Sequence, residues 1–536
     1  MRDPLVALLL VVRRDGRGSP PDELVPAGFR LRPAAGTRLL PGGPNAVLVG
    51  GAPLRLLRLT PSGARQVAAW FAGTPVASAR NARALARRLL DTGIAHPALA
   101  HSALPPAGLT ERDVTVVIPA FGRPAELAEC LAGLDQRVIV VDDASADPDA
   151  IAAVAAEAGA RVVRRPVNGG PGAARNTGLA AATTPLVAFI DSDCVPRPGW
   201  LDRLLPHFAD PAVGAVAPRV AAHAPGASWL ARYEGTSSTL DMGARESIIR
   251  QGSRVPYVPG VALVVRKEAA GTGFRDDMRV GEDVDFAWRL GAAGWRMRYE
   301  PASAIGHQHR VRLRPWFSRR KDYGTSAAAL ELRHPGAVRP LAISAWTALA
   351  WAAVLGRRPS AGVVVTAAAT ALLARRIATV TGERWPVPAP RSAVAGDAVA
   401  GDAGAGDAGA GEIGVGWTAW RLAVRLAAGG TLAAARPLGS AITRTWWPLA
   451  LPAAVAVRRL RLPLAALVLT PPLLDWFDRR PPLDPARYVA ARLLDDVAYS
   501  LGVWQGCARH RTIRPLLPVI GGMPARKGRR PTATGK

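Results

Sequence analysis

The stretch Leu186-Val187-Ala188-Phe189-Ile190-Asp191-Ser192-Asp193 places two carboxylates directly after a short apolar run. Five apolar residues in succession are typical of a strand buried on both faces of a parallel sheet. Oxygen ligands at positions i and i+2 after such a strand suit Mg²⁺ or Mn²⁺ shared with the phosphates of a substrate. The pattern therefore predicts a metal site at Asp191 and Asp193, although an Asp-x-Asp triplet also arises by chance.

The residues on either side of this stretch alternate between strand-like and helix-like segments. Apolar, β-branched runs at Val114–Ile118 and Val138–Val141 precede helical patterns at Glu126–Leu134 and Ile151–Ala158. This alternation predicts an α/β domain over residues 110–330, built on a doubly wound and mostly parallel sheet. Such sheets bind ligands beyond the carboxyl ends of their strands, which is where the acidic residues stand.

Two further groups follow predicted strand ends. Asp142 and Asp143 close the strand at Val138–Val141, where a carboxylate can accept hydrogen bonds from a base or a ribose. The alternative is a helix cap. Gly169-Gly170-Pro171-Gly172 leads into a helix that carries Arg175, which could add positive charge beside a diphosphate. The alternative there is a plain glycine turn.

A second acidic cluster, Gly281-Glu282-Asp283, opens a helical pattern that continues to Leu290. A helix start favours the anionic form of a carboxylate, and an ionised carboxylate within reach of a hydroxyl group acts as a general base. We therefore predict that Asp283 and Glu282 are catalytic, with helix capping as the alternative. Pro259-Gly260 is predicted to line the acceptor side as a tight turn, together with Trp288 and Arg289 on the helix.

The motif His307-Gln308-His309 follows a strand-like segment downstream of this helix. An imidazole can join two carboxylates around a divalent cation, so His309 is a candidate third metal ligand beside Asp191 and Asp193. The alternative is a structural histidine.

Together these motifs resemble the inverting family-2 glycosyltransferases of GT-A fold. The resemblance rests on VVIPAFGRP, VIVVDDAS, NGGPGAARNTGL, FIDSDC and GEDVDFAWRL, in this order along the chain. It implies a nucleotide-sugar donor that meets Pro119, Asp142 and Asp143, a metal held by Asp191 and Asp193, and Asp283 as the base. Processive members carry Gln-x-x-Arg-Trp where this chain has His307-Gln308-His309-Arg310, which argues against processive synthesis.

The residues before the sheet indicate a small module over residues 23–104. Strand-like segments at residues 29–32, 46–49 and 54–59 precede two helical patterns, which predicts a winged-helix-like α+β unit; a packing appendage is the alternative. VLVGGAPLRLLRLTPSGARQV and LARRLLDTGIAHP are similar to the glycosyltransferases of the mycofactocin system. That narrower resemblance implies peptide recognition by the module. It also implies transfer of glucose, from UDP-glucose, onto a peptide-derived redox cofactor or its precursor peptide, building a short β-1,4 chain.

The composition of the chain indicates which classes of partner and which kinds of site to expect. The net charge is +27, but no stacking aromatic residues alternate with the basic run at residues 310–321, so no specific nucleic-acid partner is predicted. Three scattered cysteines with no Cys-x-x-Cys spacing support neither a zinc site nor a disulfide framework, which fits a reducing cytosol.

The remaining chain divides by composition into four segments and a leader. Residues 1–22 are predicted to be a disordered leader, 335–380 an apolar helical segment, 385–416 an Ala/Gly/Asp linker, 417–523 a helical and partly apolar region, and 524–536 a basic tail. The apolar runs are each shorter than the ~20 residues that a simple span needs. Beside the basic run they nevertheless suit contact with the inner leaflet, which predicts a location on the cytoplasmic side of the membrane or in the cytoplasm. Ordinary buried helices are the alternative.

Three functions remain open on the sequence. The first is a glucosyltransferase that decorates a peptide-derived cofactor. The second is a membrane-associated transferase acting on a cell-envelope glycan or a polyprenyl-linked sugar. The third is a peptide-binding protein with an inert transferase domain, which the intact acidic clusters disfavour.

Overall fold

The computed structural model describes residues 24–42, 45–98, 108–224, 226–381 and 415–521. The predicted leader and basic tail, and nearly all of the predicted linker at 385–416, lie outside the described residues.

The amino-terminal module is a small α+β unit, as the sequence predicts. A three-stranded antiparallel sheet, β2-β3-β4, and the pair β1-β5 enclose two helices around Phe29, Leu48, Trp70 and Leu89, which are buried. Its elements are β1 (Leu31–Pro33), β2 (Arg38–Gly42), β3 (Asn45–Gly50), β4 (Arg55–Leu59), α1 (Pro61–Phe71), α2 (Arg80–Asp91) and β5 (Ala95–Pro97).

The α/β domain that follows is built on a nine-stranded sheet flanked by helices, which confirms the fold prediction. Its elements are β6 (Val114–Ala120), α3 (Pro124–Ala132), β7 (Arg137–Asp142), α4 (Pro148–Glu157), β8 (Arg161–Arg164), α5 (Pro171–Ala181), β9 (Leu186–Ile190), β10 (Cys194–Val195), β11 (Val213–Ala222), α6 (Trp229–Ser237), β12 (Ser247–Ile248), β13 (Ala262–Arg266), α7 (Lys267–Ala270), α8 (Glu282–Ala292) and β14 (Arg296–His307).

The strand order is β10-β14-β11-β13-β9-β6-β7-β8, with β12 on β14. Strands β9, β6, β7 and β8 run parallel, whereas β13 joins β9 and β11 in antiparallel pairs. All five residues of β9 are buried, because Ile190 packs into the core on one face of the sheet and Phe189 into the core on the other. The strand therefore delivers Asp191 to the edge where the parallel strands end.

The carboxyl-terminal region consists mainly of helices. Its elements are α9 (Leu313–Arg333), β15 (Ala342–Ser344), α10 (Ala345–Leu355), α11 (Pro359–Thr381), α12 (Val415–Ala423), α13 (Gly429–Ala433), α14 (Ala435–Ala441), α15 (Trp447–Ala456), α16 (Arg461–Arg479), α17 (Pro485–Arg509) and β16 (Val519–Gly521), with π-helical turns at Val424–Ala428 and Ile442–Trp446.

Helix α17 packs along α9 at very short range. A Cβ atom at Gly324 would overlap the Tyr499 carbonyl, and one at Gly502 would overlap the Lys321 carbonyl. The two glycines thus allow the backbones to touch. This contact fixes the C-terminal helices to the helix that directly follows the α/β domain.

Two described helical spans, Pro359–Ala378 and Arg458–Arg479, are long and apolar enough to cross a membrane by length and composition. They are 20 and 22 residues long, because both helices continue beyond the apolar runs visible in the sequence.

Candidate active site

The carboxyl end of β9 opens onto a cavity of about 340 Å³, hereafter the catalytic cavity. Residues singled out in the sequence line it together, among them Arg175, Asp191, Glu282 and Asp283. A smaller cavity of about 70 Å³ adjoins it at Asp191 and contains Asp193, His307 and His309. The two predicted acidic clusters therefore lie in one continuous site.

Arg175 connects the two acidic clusters. The side chain, 2% exposed on α5, donates from Nη2 to Asp191 Oδ1 at 2.6 Å and from Nη1 to Glu282 Oε1 at 2.9 Å. A buried guanidinium held between two carboxylates fixes their relative position. The predicted contact of Arg175 with a diphosphate stays a prediction.

The backbone around Asp283 is specialised. Gly281 precedes α8 with φ of 82°, a left-handed conformation that favours glycine. Asp283 Oδ2 accepts a 2.8 Å hydrogen bond from the backbone N–H of Gly260. A Cβ atom at Gly260 would lie 3.0 Å from the Asp283 Cβ and 3.1 Å from Arg175 Nη1, so a larger residue would crowd the site. Gly260 therefore positions Asp283 at the cavity wall.

Glu282 differs from its neighbour in burial. It is 6% exposed, and burial followed by the charge of Asp283 raises the pKa of its carboxyl to about 7 against the opposing effect of Arg175. Asp283 is only half-buried. Of the two predicted catalytic carboxylates, Asp283 is thus the more accessible to an acceptor.

The predicted metal residues meet at the end of β9 and β14. His307 Nε2 lies 3.4 Å from Asp193 Oδ1, and His307 Nδ1 lies 3.1 Å from His309 Nδ1. Burial acts to raise the pKa of Asp193, but His307 and nearby arginines overcome that effect and hold the pKa below its usual value. Burial lowers the pKa of His309 to about 3, so its imidazole is neutral, the form that binds metals.

The residue types at this place suit a divalent cation. His309 Nε2 is buried and has no hydrogen-bond partner among the described residues, and the Asp191 and Asp193 carboxylates line the same small cavity. Carboxylate oxygens with one imidazole are a donor set that Mg²⁺ and Mn²⁺ accept. The sequence singled out only His309 as a candidate ligand, but the structure also places His307 beside Asp193.

The predicted nucleotide-binding residues lie along the neighbouring strands. Asp142 and Asp143 are buried, and Asp142 Oδ1 accepts from the Ser145 N–H at 2.9 Å. Asp143 accepts from the N–H groups of Gly169 and Gly170 at 3.0 and 2.8 Å and from Arg165 Nε at 2.7 Å. Pro119 pairs in register with Val141 on β7. Asp143 thus holds the glycine loop in place, and the contact of either acid with a nucleotide stays a prediction.

The three residues predicted on the acceptor side occupy different positions relative to the catalytic cavity. Trp288 lines the catalytic cavity and donates from Nε1 to the Pro256 carbonyl at 2.9 Å. Gly260 lies behind Asp283, as described above. Arg289, on the same helix, instead donates to Asp285 Oδ2 at 2.7 Å and to the Gly273 carbonyl at 2.6 Å, so the structure does not bring it to the cavity.

Sequence reasoning missed several residues that line the cavity. Arg319 and Tyr323 come from α9, whereas Arg444 and Tyr499 come from the C-terminal helices. The basic run that contains Arg319 was interpreted as a lipid-facing segment. The helical period of α9 was the available signal, because it separates residues that face the catalytic domain from those that face solvent.

A group whose ligand atoms do lie close enough to share a metal ion is found apart from this site. Ligand atoms of His207, Glu246 and Glu300 lie within 4.8 Å of one another. Arg32 donates to Glu246, and His207 Nε2 lies 3.2 Å from Glu300 Oε2. Since these carboxylates already have cationic or hydrogen-bonding partners, the group forms an ion-pair cluster at the junction with the amino-terminal module.

Comparison with known proteins agrees with the geometry. The model of the family "Glycosyl transferase family 2" matches residues 115–272. The pre-mycofactocin glycosyltransferase of Mycobacterium tuberculosis is 40% identical over 512 residues, covering 92% of this chain and 98% of the relative. The chain belongs to glycosyltransferase family 2. It is a glycosyltransferase whose two acidic clusters line adjoining cavities that share Asp191.

Other known proteins are similar to a smaller part of this chain. The succinoglycan biosynthesis protein ExoU of Rhizobium meliloti is 30% identical over 217 residues, covering 37% of this glycosyltransferase and 62% of the relative. The mannosyltransferase PcManGT of Pyrobaculum calidifontis, solved with GDP-Man and Mn²⁺, is 23% identical with a TM-score of 0.34, covering 52% of this chain and 81% of that one.

Proposed function

We propose that this enzyme transfers glucose from UDP-glucose to a hydroxyl group of a peptide-derived redox cofactor, mycofactocin or its precursor. The observation that carries the proposal is the relative, similar over nearly the whole chain, whose name specifies pre-mycofactocin as the acceptor. A narrow cavity between the acidic clusters and the C-terminal helices supports a small acceptor. Repeated transfer would build a short β-1,4-linked glucose chain.

The reaction is an inverting displacement at the anomeric carbon. Asp283 removes the proton of the acceptor hydroxyl as the new glycosidic bond forms and the bond to the departing diphosphate breaks. Gly260 holds one carboxylate oxygen of Asp283, which leaves the carboxylate oriented toward the cavity. Arg175 holds Asp191 and Glu282 in position relative to Asp283 through its two hydrogen bonds.

Asp191, Asp193 and a histidine, His309 or His307, would hold Mg²⁺ or Mn²⁺. When bound there, such a cation would supply positive charge beside the leaving diphosphate. Arg319 lines both the catalytic cavity and the smaller metal-side cavity, so its guanidinium is placed to add charge on the same side. Asp142, Asp143 and Pro119 would contact the nucleotide.

A membrane-associated transferase acting on a polyprenyl-linked or envelope glycan acceptor is the second candidate. Val363, Val364, Leu451, Val455 and Leu462 on α11, α15 and α16 are each more than half exposed. Exposed apolar side chains on helices of this length suit shallow contact with the inner leaflet, which is compatible with a cytoplasmic enzyme working at the membrane.

The two candidates are separated by their acceptors. Purified full-length enzyme is incubated with UDP-glucose, Mn²⁺ or Mg²⁺, and either a mycofactocin precursor or a polyprenyl phosphate, and products are measured by mass spectrometry. The proposal predicts successive hexose additions to the precursor, and none in the Asp283→Asn variant. Modification of the polyprenyl phosphate alone would contradict it and favour the second candidate.

A further inference from the structure

A cavity of about 410 Å³ lies between the amino-terminal module and the α/β domain, hereafter the module-side cavity. Leu90 and Asp91, at the end of α2, line it from the module, whereas Arg250, Arg296 and Arg298 line it from the α/β domain. Its described lining residues thus include three guanidinium groups and one carboxylate. The excess of positive charge in this cavity needs a physical explanation.

The one carboxylate of the cavity is already paired. Asp91 Oδ1 and Oδ2 lie 3.4 and 3.3 Å from Nε and Nη2 of Arg296. Arg250 Nη1 donates to the backbone carbonyl of Asp91 at 3.0 Å, but Arg250 Nη2 is buried and has no hydrogen-bond partner among the described residues. Arg250 therefore keeps an unpaired charge in the described part of the chain.

Arg298 is the most deeply buried of the three arginines. It is 1% exposed, and within the described residues its Nε and Nη1 have no hydrogen-bond partner. Burial lowers the pKa of Arg298, and the charge of Glu246 offsets only part of that effect. A buried charge without a hydrogen-bonded partner costs free energy of folding, so a guanidinium in this state favours an anion in the adjoining cavity.

The carboxylates nearest to Arg298 have cations of their own. Arg32 donates to Glu246, and Arg87 donates from Nη1 and Nη2 to both oxygens of Asp210 at 2.8 and 2.6 Å. These acids belong to ion pairs that join the module to the α/β domain. They therefore do not supply the hydrogen bonds that Arg298 lacks.

A further arginine reaches the same region from the module. Arg55 of β4 has a buried Nε without a partner, and it forms no ion pair with any residue that the structure describes. Burial and, after it, the charge of Arg55 lower the pKa of Arg250, so these two guanidinium groups lie near each other. The planar N–H groups of arginine match the oxygens of a phosphate, and three positive charges suit its double negative charge.

The rest of the cavity wall is mainly apolar. Leu90, Ile248, Trp295 and Met297 line it, and Gln251 adds an amide. A wall of this kind, with a few polar groups at one place, is typical of a site for a small organic molecule. It suits a phosphate attached to an apolar or aromatic body better than a free inorganic ion.

We propose that the module-side cavity binds a small phosphomonoester, whose phosphate is held by Arg250 and Arg298 of the α/β domain and by Arg55 of the module. The occupant would neutralise charges that the fold leaves unpaired and would connect the module to the α/β domain. Helix α8 has Asp283 in its first turn, whereas Gly291 and Ala292 at its other end line this cavity. The inference goes beyond sugar transfer and does not depend on the acceptor.

The test is calorimetric titration of the full-length enzyme with phenyl phosphate and with phenylacetate, which carries a carboxylate in place of the phosphate. Phenyl phosphate should bind about tenfold more tightly, because it brings a second negative charge and a third acceptor oxygen. It should also raise the Tm of the enzyme, since a ligand of the folded state stabilises that state. Equal affinities, or no binding of phenyl phosphate, would overturn the proposal.

The phosphate could belong to a soluble metabolite or to a lipid, and both have the same chemistry. Dihexanoyl phosphatidate, titrated below its micellar concentration, separates the two sources. Tighter binding than that of phenyl phosphate would assign the site to a lipid phosphate, and weaker binding would assign it to a soluble phosphomonoester. Either result supports the phosphate site.

Arg55→Gln tests the location of the site, with Arg58→Gln as the matched control. Arg58 is an exposed arginine on the same strand, and it does not line the module-side cavity. We expect Arg55→Gln to weaken binding of phenyl phosphate about fivefold or more and Arg58→Gln to leave it unchanged. Equal affinities in the two variants would mean that phenyl phosphate binds elsewhere, for example at the donor site, and would overturn the proposal.

Arg298→Met separates a ligand-binding role from a structural one. An apolar side chain of similar length replaces an unpaired buried charge, so the Tm of the ligand-free enzyme should stay the same or rise while binding of phenyl phosphate is lost. A lower Tm would mean that the fold itself compensates Arg298, and retained binding would remove Arg298 from the site. Each of these results would overturn the proposal, and none of the measurements uses sugar transfer.

Discussion

The catalytic domain meets the amino-terminal module and the C-terminal helices at two interfaces that use similar interactions for different purposes. At the first, Arg87 Nη1 and Nη2 donate to Asp210 at 2.8 and 2.6 Å. At the second, Arg320 donates to Glu234 and lies 3.2 Å from Asp495 Oδ1. Both arginines are buried, so each interface depends on a buried ion pair.

The interfaces differ in their relation to the active site. The module-side cavity, of about 410 Å³, lies at the first interface; it is lined by Leu90 and Asp91 of the module and shares Trp288 with the catalytic cavity. None of the described residues of the module lines the catalytic cavity itself. At the second, Arg444 and Tyr499 line the catalytic cavity directly. The C-terminal helices thus form part of the wall of the candidate active site, while the described part of the module lies beside it. A role of the module in binding a precursor peptide would be exerted from outside the catalytic cavity.

Loss of the base should have the largest effect and provides the reference for both interfaces. Asp283→Asn should lower kcat by about 10³-fold, because the amide cannot accept the acceptor proton. Binding of UDP-glucose, measured by titration, should be retained. Asp277→Asn, at an exposed carboxylate, is the matched control. Turnover of Asp283→Asn close to that of the control would remove Asp283 from the base role.

At the C-terminal interface, Arg320→Met should affect both stability and transfer. It leaves Glu234 and Asp495 buried without their cation, which should cost about 3–5 kcal/mol in the free energy of unfolding. Because Arg320 also lines the cavity, kcat/KM should fall about tenfold or more under conditions where the variant is folded. Urea denaturation and initial rates measure the two effects, and an unchanged kcat/KM would separate this interface from catalysis.

The equivalent change at the module interface should affect stability alone. Arg87→Met leaves Asp210 buried without its partner, at a similar cost of about 3–5 kcal/mol. With a small acceptor, kcat/KM of the folded variant should stay within about twofold, since neither Arg87 nor Asp210 is among the described residues that line the catalytic cavity. A loss of transfer equal to that of Arg320→Met would contradict the distinction between the two interfaces.

The smallest expected effect is a pH dependence at the module interface. Burial raises the pKa of Glu246 to about 7 from 4.5, against the effect of Arg32 and Arg298 and together with the charge of Glu300; His96 faces the same carboxyl group. A raised pKa means that the folded state binds the proton more tightly. Stability from this group is therefore present below pH 4.5 and is lost as the pH rises toward 7.

Glu246→Gln should remove that loss. The variant should gain about 1–3 kcal/mol of stability relative to the wild type between about pH 5 and about pH 8, measured by urea denaturation at both values. Parallel changes in the two proteins would show that Glu246 titrates normally. Transfer to a small acceptor should not follow this change, because Glu246 lies outside the catalytic cavity.

The fold could be predicted from the sequence wherever a short segment of the chain determines its own structure. The apolar run Leu186–Ile190 predicts a buried strand, and the structure places β9 at the same residues. The helix predicted to open at Glu282 begins there, since Gly281 supplies the left-handed residue before it. Acids at strand ends could be grouped because parallel strands end at one edge of a sheet.

The residues on the acceptor side could not be predicted from the sequence. Contacts between segments that are far apart in the chain bring them together. Arg444 and Tyr499 reach the cavity only because α17 packs on α9 through Gly324 and Gly502. Charge alone also does not show which residues of the basic run are buried. The basic run indicated a lipid-facing surface, yet Arg320 within it is buried and paired, and only tertiary contacts distinguish it from its exposed neighbours.

The anomeric configuration of the first product tests the central claim most directly. With UDP-glucose, whose glucose is α-linked, the enzyme and a mycofactocin precursor should give a β-linked glucoside in the first turnover, identified by proton NMR. A single displacement assisted by Asp283 predicts that inversion. An α-linked product would require a different mechanism and would contradict the role assigned to the cavity between Asp191 and Asp283.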